Sequence, residues 1–282
     1  MSTSATAAGG RFTGLLAPSE RDPLPVDPGA PRRALRWETV LVLGVSLGAS
    51  AVYAVLSIIE KLTRPVPLSQ QTTAMNQSAT PGRPWLDLAY QLAGIVLPLT
   101  AVALALYLLN HVRRPAGDVP ARHVVGLDRR EPRRDLLRGL GLAALIGIPG
   151  LGFYLLAKAI GINTQVSAAN LEAVWWSAPV LVLAAIENAL LEEVVMVGYL
   201  FTRWRQTGWS WPLVIGVSAV IRGSYHLYQG FGGFAGNIVM GLVLGLVFVR
   251  TRRVMPLVVC HSILDIVAFV GYSVLRARGV SL

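Results

Sequence analysis

Five side chains in the last third of the chain could share one reaction: Glu192, Glu193, His226, His261 and Asp265, with Arg222 falling between the acidic pair and the histidines. A carboxylate held beside imidazoles suits a general base that takes a proton from water. All of them sit in apolar runs. Glu192 and Glu193 interrupt residues 179–201, a stretch long enough to cross a bilayer. Each carboxylate near the middle of such a helix costs roughly 2.5–3.5 kcal/mol even on the lenient insertion scale, so a chain that carries two has a use or a partner for them.

The spacing says how helices must present these groups. Asn188 and Glu192, Arg222 and His226, and His261 and Asp265 each fall four residues apart. Residues at i and i+4 share a helix face, so three helices each carry a polar stripe one turn long. Facing lipid, the ionisable groups would cost together more than about 10 kcal/mol, so the stripes must face one another or a wet cavity. Adjacent helical residues point about 100° apart, which gives the two glutamates unequal parts. Glu192 shares the face of Asn188, and Glu193 points toward a neighbouring helix. Asn237 is expected to hydrogen-bond across helices. A lone intramembrane histidine is more often a packing residue, but two on helices that also carry acids favour a site.

The elements that must position these groups follow from composition. Of 282 residues, 54% are hydrophobic and 14% charged, and the apolar residues are gathered in long blocks. The fold class is all-α: a polytopic membrane protein of about seven transmembrane helices, with the polar site on the last four. The spans are expected at 37–59, 86–110, 136–160, 177–203, 211–228, 233–249 and 254–275. Residues 1–36 read as a disordered cytoplasmic tail, 37–160 as a three-helix membrane region without an interior polar cluster, and 174–276 as the chemically equipped core. Residues 63–83 read as an external loop. From axial rise alone, Glu192, His226 and His261 lie about 16, 22 and 10 Å from one membrane face, so they meet only if helices are staggered, tilted or broken. Gly223 and the glycines at 230, 232 and 233 mark where a break is expected.

The formal charge of +10 is almost all arginine and lies between the spans, at Arg32, Arg33 and Arg36, at Arg113 to Arg134, at Arg203 and Arg205, and at Arg250 to Arg253. That distribution excludes nucleic acid as the partner, favours lipid, and puts the N-terminus in the cytoplasm. The only cysteine, Cys260, excludes an internal disulfide and a multi-cysteine metal site, and reads as a packing residue.

Glu192-Glu193 followed by Gly198-Tyr199-Leu200-Phe201, then His226 late in the next span, then His261 with Asp265 four residues on, resembles the CAAX protease and bacteriocin-processing (CPBP, or Abi) family of intramembrane proteases. The Ras-converting CAAX endopeptidase belongs to that family. The resemblance covers about a third of the chain. It implies Glu192 as the base that activates water and Glu193 as its support. His226 and His261 would hold that water or stabilise the oxyanion, and Asp265 would orient His261. Glu192, His226 and His261 could also satisfy zinc with one open position, so metal and metal-free chemistry both stay open. The chain departs from the family pattern twice, with Met196-Val197 in place of Phe-Arg in the first motif and Arg222 in place of Phe in the second. The expectation is that the charge has moved, with Arg222 reaching span four to neutralise Glu193 or Glu187. The first reading is therefore an endopeptidase of a bacterial plasma (inner) membrane acting on a membrane-associated peptide or protein. The alternative is a weakened or inactive membrane scaffold of the same fold, a subunit of a larger membrane complex.

Overall fold

The computed structural model describes residues 31–111 and 119–279. The expected tail up to residue 30, together with Arg113 and Arg114, lies outside the described residues. Helix begins at Arg32, within the stretch read as tail.

Of the described residues, 75% are helical. A bent pair, α1 (Arg32–Gly44) and α2 (Leu47–Leu62), is followed by the short strand β1 (Thr72–Ala74). Next come α3 (Pro84–Val96), α4 (Leu99–His111), α5 (Ala121–Val124), the long α6 (Pro132–Ala159) and β2 (Gln165–Ser167). The site-bearing part comprises α7 (Ser177–Glu192), a π-helical segment (Glu193–Tyr199), α8 (Leu200–Gln206), α9 (Trp211–Tyr225), α10 (Phe231–Thr251) and α11 (Met255–Ala277).

Every expected span has a helical counterpart, but fewer than seven are single helices long and apolar enough to cross. By length and composition four helices can cross a membrane, 84–110, 132–159, 231–251 and 255–277, and a fifth counts if α1 and α2, bent by 55°, form one span. Span four fails as one unbroken α-helix because the π segment divides it. Span five stops after 15 residues because α9 ends at Tyr225.

The core sits where the π segment meets α4, α9, α10 and α11, and Val194, Val195, Met196, Tyr199, Leu244, Leu257 and Cys260 are all fully buried. Large apolar side chains on α2, α3 and α6, such as Tyr53, Trp85, Leu145 and Ile148, face outward, as lipid-facing surfaces require. α11 packs between α6 and α7, and α10 packs against α9. The α9–α10 approach depends on Gly223, where a Cβ would stand 2.8 Å from the Phe234 carbonyl oxygen and 2.7 Å from Ile238. β1 and β2 pair in parallel, Thr73 opposite Val166, and so tie the 63–83 segment to the segment after α6.

At the other end of α11, Arg253 clasps two carboxylates. Its Nη2 donates to Asp135 Oδ2 at 2.6 Å and to Asp128 Oδ1 at 3.0 Å. Burial would raise the Asp128 carboxyl, but hydrogen bonds from Arg130, His123 and Arg253 outweigh it and hold the group well below the usual carboxylate range. This clasp fixes the start of α11, and with it the height of His261.

Candidate functional site

Four elements, α7, the π segment, α9 and α11, converge on one buried polar cluster. The register changes where it matters: α7 ends at Glu192 and the π segment begins at Glu193. A π turn widens the helix and frees backbone carbonyls. One of them, that of Met196, is satisfied by the Ser218 hydroxyl of α9 at 2.9 Å. The β-branched Val194, Val195 and Val197 fill this stretch, residues with reduced helix preference.

Glu193 is fully buried. Its Oε1 accepts from Arg222 Nη2 at 2.6 Å and from His261 Nδ1 at 2.8 Å. Glu192, 7% exposed, occupies a different face. Its Oε2 accepts from the Tyr225 hydroxyl at 2.7 Å and forms an ion pair with Arg222 Nη1 at 3.2 Å, without hydrogen-bond geometry. Arg222 thus meets Glu193 within the range of a strong charge effect, and Glu192 as well. Glu187 is also buried, but its Oε1 makes no hydrogen bond among the described residues.

His226 stands just past the last residue of α9, at the break that the glycines mark in the sequence. Its Nδ1 lies 3.1 Å from the Arg222 carbonyl. A carbonyl only accepts, so Nδ1 carries the proton and Nε2 presents a lone pair when the ring is neutral. Nε2 faces Glu192 Oε1 across 4.0 Å.

His261 donates to Glu193 through Nδ1, and its Nε2 is 3.7 Å from Asp265 Oδ2, beyond hydrogen-bond range. Glu193 therefore orients this ring more directly than Asp265 does. Asn237 gives its amide to the Gly233 carbonyl of its own helix at 2.9 Å, where an interhelical partner was expected. The staggered depths close because α9 stops early, so that His226 lies on a turn beside Glu192 at the end of α7.

The residues that sequence reasoning missed are Tyr225, Tyr228 and Lys61. Tyr225 was legible as i+3 from Arg222, on the face turned to the acids. Lys61 gives no such signal, because its partners come from β1 and from the turn after His226, far along the chain.

Ligand atoms of Glu192, Glu193 and His261 come within 4.8 Å of one another. The Arg222 guanidinium already contacts both carboxylates, and the His261 nitrogen nearest them, Nδ1, is committed to Glu193. A dication there would have to displace a cation, and His226 is not part of the close group. These residues do not fit a metal between the two glutamates.

Residues 174–267 match the family model described as type II CAAX prenyl endopeptidase Rce1-like. The resemblance to the CPBP family is therefore shown over the segment that carries the whole cluster. No curated relative and no solved structure matches the chain.

Proposed function

We propose, from the Rce1-like identity of residues 174–267 as premise, that the protein is an intramembrane endopeptidase in which Glu192 activates water against a peptide bond of a membrane-associated peptide or protein. The observation that carries this reading is the asymmetry of Glu192. One oxygen is anchored by Tyr225 and Arg222, while the other faces the His226 lone pair across 4.0 Å. A water there would donate one proton to Glu192 Oε1 and the other to His226 Nε2, leaving its lone pairs for attack.

Attack transfers the first proton to Glu192, forms the tetrahedral intermediate, and places negative charge on the former carbonyl oxygen. His261, steadied by Glu193, would supply a donor or positive charge to that oxygen. Glu192 then returns the proton to the leaving nitrogen as the carbon–nitrogen bond breaks. General base catalysis of this kind contributes about 10²–10⁴-fold. The arginine-rich linkers favour a plasma-membrane protein with its N-terminus in the cytoplasm.

The test is cleavage of a membrane-associated peptide by the full chain in proteoliposomes. Wild type should cut, and Glu192→Gln should retain fold and lose turnover. One observation favours the scaffold reading instead: Arg222 engages both glutamates, and charge neutralisation weakens a base. No cleavage by wild type, together with a stoichiometric membrane partner on purification, would establish that alternative.

A further inference from the structure

A lysine far from the acids in sequence is built into the wall behind His226. Lys61, in the last turn of α2, is 7% exposed. A buried ammonium must satisfy its donors, and the hydrogen-bond partners of this one among the described residues are neutral. Nζ donates to Thr73 Oγ1 at 2.9 Å and to the Tyr228 carbonyl, and it stands 6.0 Å from the centre of the Tyr228 ring.

The same hub holds the next carbonyl. The Thr73 and Thr164 hydroxyls are 2.7 Å apart, and both the hydroxyl and the backbone N–H of Thr164 donate to the Gln229 carbonyl at 2.9 Å. Gly230 completes the turn at φ +116°, its α-carbon so close to Asn163 that a Cβ would stand 2.7 Å from that residue's backbone. Residues 228–230 are thus clasped by α2, β1 and the segment before β2.

His226 needs such support. It lies beyond the end of α9, where helices fray, and its ring is hydrogen-bonded there only through Nδ1 to the Arg222 carbonyl among the contacts described. The Tyr225 ring lies 4.8 Å from the His226 ring, and the Tyr228 ring lies 6.4 Å away at 23°. The turn that carries Tyr228 thus places a second aromatic ring beside the imidazole.

We infer that Lys61, with Thr73 and Thr164, is a positioning residue for His226, setting the imidazole against Glu192 from the opposite end of the sequence. The inference rests on the peptidase reading for its kinetic consequence and on geometry alone for its structural one. Displacing a catalytic group by about 1 Å costs on the order of 10²-fold in rate. Lys61→Met should therefore lower kcat at least about tenfold with KM little changed, while Lys61→Arg, which keeps the charged donor, recovers most of it.

The closing experiment combines that kinetic series with diethyl pyrocarbonate labelling of His226, read by mass spectrometry on the full chain in lipid nanodiscs. Lys61→Met should speed labelling severalfold, and Lys158→Met should leave it at the wild-type rate. If Lys61→Met fails to fold, Thr73→Val, which removes only the hydroxyl bridge, is expected to give a smaller shift in the same direction. Unchanged labelling and unchanged kcat in folded variants would overturn the inference. Equal losses for Lys61→Arg and Lys61→Met would also overturn it. If wild type cleaves nothing, the peptidase reading fails, and the labelling arm still decides whether Lys61 positions the ring.

Discussion

Arg222 Nη2 donates to Glu193 Oε1 at 2.6 Å inside the membrane-embedded core, both side chains being no more than 1% exposed. The pair joins α9 to the π segment, and the same guanidinium reaches Glu192 at 3.2 Å. One cation therefore holds two carboxylates that would otherwise repel each other. Because the arginine at the family's usual position is Val197 here, no other described cation takes its place in this cluster.

Removing that cation leaves two buried, uncompensated carboxylates. Breaking one side of a buried ion pair costs about 3–5 kcal/mol. Arg222→Met is expected to lower stability by an amount of that order, read as a loss of folded protein in a thermal melt in detergent. Glu193→Gln should destabilise less, since the amide still accepts from Arg222 and His261.

The two glutamates should separate in kinetics. Glu192→Gln is expected to reduce kcat by about 10²–10⁴-fold with the melting temperature nearly unchanged. Glu193→Gln should act through the orientation of His261, lowering both stability and turnover. Turnover and melting of the two variants, measured side by side, check the assignment, and equal effects would refute it.

Tyr225 anchors the Glu192 oxygen that does not face His226. A hydrogen bond to a charged group is worth about 1.5–3 kcal/mol. Tyr225→Phe should therefore lower kcat by roughly tenfold or more and leave Glu192 freer to pair with Arg222. Single-turnover rates on one peptide substrate measure this directly.

Chelation should have no effect on turnover. The guanidinium occupies the position a dication would need, so prolonged treatment with a chelator is expected to leave activity intact, and added zinc should not raise it. Activity lost to the chelator and restored by zinc would contradict the ion-pair reading of the site.

The Asp128 carboxyl is held below its usual range, so its sign is fixed. A carboxyl depressed in the folded state stabilises the fold above its unfolded pKa, about 3.9, and that contribution is lost as pH falls toward the folded value. Wild type should lose stability as pH falls below about 4, and Asp128→Asn should show a flatter acid dependence from a lower starting stability. Melting temperatures across that range provide the check.

Apolar blocks of helical length determined the class of fold, because burying backbone in lipid leaves little but helices. The i, i+4 pairs identified three of the converging faces, and the missing arginine at 197 pointed to Arg222. Neither hydropathy nor spacing could reveal the π register that separates Glu192 from Glu193, since it depends on carbonyls satisfied from another helix, such as Met196 by Ser218. The early end of α9 was legible as glycines but not as a length. Its consequence, that His226 stands beside Glu192, required the clasp from Lys61 and Thr164, whose partners in the turn lie 167 and 65 residues away. Sequence thus determined which chemical groups are present and which side of a helix each must take. Tertiary packing decided which oxygen of Glu192 faces the histidine, because that choice rests on hydrogen bonds between residues that only the folded chain brings together.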